Sequence, residues 1–63
     1  MSDVSEDDVL RVIKNCKRCP VYRIAGMLGI NVVKAVKILN KLEKDGKIIK
    51  EVETRSTYYK LKG

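Results

Sequence analysis

The sequence predicts an α+β fold in which three helices precede a C-terminal β-hairpin. Two observations carry this. Apolar residues recur at helical spacing as far as Leu42, and Gly29 and Gly46 follow the second and third of these runs. From Lys47 onward the period changes, and β-branched and aromatic residues gather in two short runs around a polar turn. The length of 63 residues fits one domain with a thin core, since a chain this short buries only about 60% of the surface its unfolded form exposes.

Residues 1–4 read as a frayed tail and residues 5–63 as the domain. Ser5 opens the first helix: its hydroxyl can cap, and Asp8 stands three residues on, where a capping-box acid belongs. Glu6, Asp7 and Asp8 put negative charge on the positive end of the helix dipole, and Val4 and Val9 occupy the two hydrophobic-staple positions. The acidic cluster therefore has a structural role, which is preferred to a metal site. Val9, Leu10, Ile13 and Cys16 form the inner stripe, with Arg11, Lys14 and Arg18 opposite, and the helix is expected to end near Lys17.

Lys17 to Pro20 is a short connector, and Pro20 stops any helix entering from before it. The second helix runs from about Pro20 to Leu28. Val21, Ile24, Ala25 and Leu28 share its inner face, while Tyr22, Arg23 and Gly26 point away. Gly29 ends it in left-handed geometry. Asn31 caps a third helix from Val32 to about Asp45, with Ala35, Ile38, Leu39 and Leu42 inward. Val32 is also expected in the core. The outer side carries Val33, Lys34, Lys37, Asn40, Lys41 and Lys44, with Val36 at its edge. Lys47–Val52 and Thr57–Leu61 are the hairpin strands, and Glu53–Ser56 the turn.

The formal charge is +6, but the first eight residues hold four of the eight acids, and the other 55 residues carry a net +10. A strongly basic body suggests a polyanionic partner. No run of about 18 apolar residues occurs, so no membrane helix is expected, and the acidic start does not fit a targeting peptide. An intracellular, cytoplasmic protein is expected. Gln, His, Trp and Phe are absent and Lys, Ile and Val abundant, a composition that resembles hyperthermophile proteins. With no His the commonest general base is missing, and the chain holds no phosphate-binding loop or nucleophile–base set. No enzyme activity and no cofactor are expected.

The segment Ile24-Ala25-Gly26-Met27-Leu28-Gly29-Ile30 resembles the second helix and turn of winged helix-turn-helix proteins of the MarR, ArsR and Z-alpha kind. Leu39, Leu42-Glu43 and Gly46-Lys47-Ile48 resemble the end of their recognition helix and the start of the wing, and Tyr59 to Leu61 the returning wing strand. The resemblance spans about 42 of the 63 residues. Two departures are evident: Pro20 stands where the family often has a capping Ser or Thr, and the wing turn is short with one Arg.

The resemblance implies duplex DNA as partner, with the third helix in the major groove. Lys34, Lys37 and Lys41 would neutralise phosphates, Asn31 and Val33 would lie nearest base edges, Tyr22 and Arg23 would hold one backbone, and Arg55 would reach the other from the wing. Val33 could meet a thymine methyl, or instead touch helix 2 or a second subunit. Tyr58 and Tyr59 face opposite sides of their strand, one inward and one outward. The Z-alpha likeness assigns Tyr59 a nucleic-acid contact, but Val36 and Asn40 stand where that family has its Asn and Tyr, which argues against Z-form recognition. Cys16 and Cys19 allow three readings: two small core residues, a disulfide, or a metal shared between subunits. The expected function is transcription regulation. A protein-docking module is the alternative, and a weak homodimer, or a monomer that dimerises on DNA, is expected, with helix 1 at Val12 as the self-contact.

Overall fold

The computed structural model describes residues 4–62; the expected tail lies outside them except for Val4. Val4 is half-buried against the core rather than frayed, as its staple position with buried Val9 requires. Helix α1 spans Glu6–Cys16. Its capping box is complete: the Asp8 N–H donates to Ser5 Oγ at 3.3 Å, and the Ser5 N–H donates to Asp8 Oδ2 at 3.1 Å.

The chain then reverses sharply. Lys17 caps α1 with φ at 64°, the one non-glycine residue with positive φ among those described, and its N–H bonds the Ile13 carbonyl at 2.8 Å. This turn delivers the connector into a strand that has no signal in the local sequence. Cys19–Pro20 forms β1, paired antiparallel with Tyr59 and Tyr58. Pro20 is held extended by that pairing, so it is the N-cap of α2 rather than its first helical residue.

Helix α2 covers Val21–Leu28 and ends at Gly29, whose φ of 69° and bonds to Ala25 and Gly26 carbonyls close the helix. Asn31 opens α3, Val32–Lys44, its Oδ1 accepting the Lys34 N–H at 2.8 Å. Strands β2, Ile48–Val52, and β3, Thr57–Leu61, form the hairpin. The sheet order is β1-β3-β2, antiparallel throughout. Three helices followed by a hairpin give the α+β, winged-helix-like layout expected from the sequence.

One core joins all the elements. Val9 and Ile13 from α1, Cys19 from β1, Ile24 from α2, Leu39 and Leu42 from α3, and Ile48 and Tyr59 from the hairpin form a single buried cluster. The inward stripes match expectation apart from Val32, which is 43% exposed. Val32 shares the azimuth of the stripe but is the first residue of α3, at the end of the helix.

Candidate nucleic-acid interface

The outer side of α3 is open. Val33 is 66% exposed, and Lys34, Lys37, Asn40, Lys41 and Lys44 are all exposed. This follows from the helix phase: burying Ala35, Leu39 and Leu42 turns the lysines outward. The Asn31 side chain is exposed at the start of the same helix, but its carbonyl oxygen is engaged by the cap. As a reader of base edges it therefore has mainly its amide N–H donors to offer.

Lys41, on this basic side, carries a salt bridge. Its Nζ lies 3.2 Å from Glu6 Oε2, at the acidic start of α1. A phosphate contact by Lys41 would compete with this pair. The acidic cluster thus caps one helix and also partly neutralises the later turns of another.

On α2, Tyr22 is 67% exposed and Arg23 is exposed, both directed away from the core. Tyr22 shares a groove of about 420 Å³ with Arg55. One wall of this groove is the first turn of α2 and the other is the wing turn, which the Glu53 N–H closes onto the Ser56 carbonyl at 2.9 Å. Two candidate backbone-contacting residues from distant parts of the sequence therefore line one surface.

Tyr59 does not join them. It is 3% exposed on the central strand, flanked by Cys19 and Lys50, and faces the core. Burial raises its hydroxyl pKa, and the Glu43 charge adds to that. The surface contact assigned to Tyr59 is thus corrected: Tyr58, half-buried on the opposite face, is the more accessible of the pair. The alternation of the strand sets the two tyrosines apart, but only packing decides which is inside.

Helical phase alone puts Arg18 on the outer side of helix 1. In the fold it is the tie between the connector and the wing. Its Nε donates to Glu51 Oε1 at 2.8 Å and its Nη2 to Glu53 Oε2 at 2.6 Å, while the guanidinium lies 4.3 Å from the centre of the Tyr58 ring. The Arg18 hydrogen bond is the main cause that holds the Glu51 carboxyl below its ordinary pKa, and Lys60, 3.2 Å away, adds to it. Glu53 begins the wing turn, so the guanidinium anchors the base of the turn that carries Arg55. The partners lie 33 and 35 residues away in sequence, and no local signal marks them.

The connector is closed by a Cys16–Cys19 disulfide, with the Cα atoms 6.1 Å apart, a span such bridges ordinarily cover. Of the three readings open to the pair, the structure holds the disulfide, and Cys19 is a core residue besides. Among the described residues no group of three or more His, Cys, Asp or Glu gathers to hold a metal. No helix among them is long and apolar enough to cross a membrane.

No family model, no curated protein and no solved structure matches this chain.

Proposed function

We propose that this chain is a winged helix-turn-helix domain that binds duplex DNA as an intracellular, cytoplasmic transcription regulator, without catalysing a reaction. The observation that supports this best is the outer side of α3, where exposed lysines stand beside an exposed Val33 on a helix that the fold presents at the surface. Lys34 and Lys37 neutralise phosphates in this reading, and Asn31 and Val33 lie nearest the bases. Tyr22 and Arg23 hold one strand's backbone. Arg55 reaches the other from the wing, steadied by Arg18 through Glu53. A phosphate contact by Lys41 competes with its Glu6 pair.

A second reading has its own support. Tyr22, Met27 and Val33 are each more than half exposed, an apolar content suited to a protein-docking module. Titration of duplex binding against salt separates the two. A phosphate-dominated complex weakens steeply and log-linearly with salt, whereas docking through apolar side chains does not. Binding that is flat in salt would sink the DNA reading.

Self-association is weak in this proposal. Val12, the apolar edge residue of α1, is half-buried against the core and presents little surface to a second copy.

A further inference from the structure

We propose that the groove between α1 and the open end of the hairpin docks an acidic protein segment carrying a leucine-sized apolar anchor. The groove is shallow and open, with a volume of about 520 Å³. Leu10 and Leu61 supply its apolar surface, and Leu61 is 36% exposed at the end of β3. Arg11 and Lys14 stand on the α1 side, Arg11 next to Leu10 in the chain and Lys14 one helical turn beyond it. Lys47 and Lys62 stand on the hairpin side, where the Lys62 N–H donates to the Lys47 carbonyl at 3.2 Å and holds the open end of the hairpin together.

Charge complementarity selects the occupant. Four cations line this groove against one carboxylate, Asp7. Among the described residues none of the four is tied up in an ion pair. A nucleic-acid backbone would satisfy the cations but leave the leucines without a use, and a neutral apolar peptide would do the reverse. An acidic segment with an apolar side chain matches both. The groove lies at the opposite end of the hairpin from the wing turn, separated from it by five-residue strands that span roughly 17 Å. This inference does not depend on the DNA reading.

The test uses a short fluorescent peptide of Glu and Asp around a central Leu-Leu pair, titrated with the intact protein. A matched peptide with Ser-Ser at its centre is the control. Arg11→Gln with Lys14→Gln, and separately Leu61→Ser, should each weaken binding of the leucine peptide about tenfold. Lys34→Gln with Lys37→Gln should leave it within about twofold. Equal binding of the serine peptide, or loss of binding in the α3 pair instead of the groove variants, would overturn the proposal. Failure of the protein to bind duplex at all would overturn only the DNA reading.

Discussion

The Lys41 ammonium on α3 lies 3.2 Å from the Glu6 carboxylate at the start of α1, so the acidic turn that begins one helix restrains a cation on another. In the proposed DNA complex this pair competes with phosphate. Glu6→Gln should therefore tighten duplex binding and steepen its salt dependence by up to about one unit, the share of one additional neutralised phosphate. Lys41→Ala should weaken binding less than Lys37→Ala does. Fluorescence anisotropy at several salt concentrations reads both effects. Weaker binding by Glu6→Gln would show that Lys41 does not reach the nucleic acid.

Lys34 and Lys37 carry the main electrostatic share of that complex. Replacing both by Ala should lower affinity and reduce the salt slope by about one unit for each phosphate no longer neutralised. An unchanged slope in a folded double variant would move the DNA surface elsewhere on the molecule.

Leu39 is fully buried at the meeting of the helices and the hairpin. Leu39→Ala should destabilise the domain by about 2–5 kcal/mol, through forfeited transfer energy and the cavity left behind. A domain this small has little stability to lose, so thermal denaturation should show a transition many degrees lower, or none. A melting temperature within a few degrees of the parent would contradict the assigned role.

The capping box makes stability depend on pH in a defined direction. The Ser5 backbone N–H, and then its hydroxyl, lower the Asp8 pKa below its ordinary value near 3.8. A carboxyl depressed on folding contributes stability that is fully present above its unfolded pKa and lost as pH falls through the folded one. The loss should therefore lie below about pH 4. Asp8→Asn should reduce stability at neutral pH and flatten the acid limb of a denaturation series. An acid limb identical in the variant would assign the dependence to other carboxylates, of which Glu51, also depressed, is the first to examine.

Much of the architecture is legible because its signals are local. Ser5 with Asp8, Asn31, Gly29 and Gly46 each act on backbone groups a few residues away, so the chain's own order fixes where helices start and stop. The stripe of Ala35, Leu39 and Leu42 is equally local, because helical periodicity alone turns it to one side. These features give the α+β class and the outward lysines before any packing is known.

What only the tertiary structure decided depends on partners far apart in the chain. β1 is two residues long and exists because β3 returns beside it. Tyr59 is inside and Tyr58 outside because the helices cover one face of the sheet, a choice that strand alternation leaves open. Arg18 finds Glu51, Glu53 and Tyr58, and Lys41 finds Glu6, only when the helices have packed against one another and the hairpin. Local hydrogen bonding and periodicity thus set the elements and their inward faces. Long-range packing set which charges on the outward faces remain available to a partner.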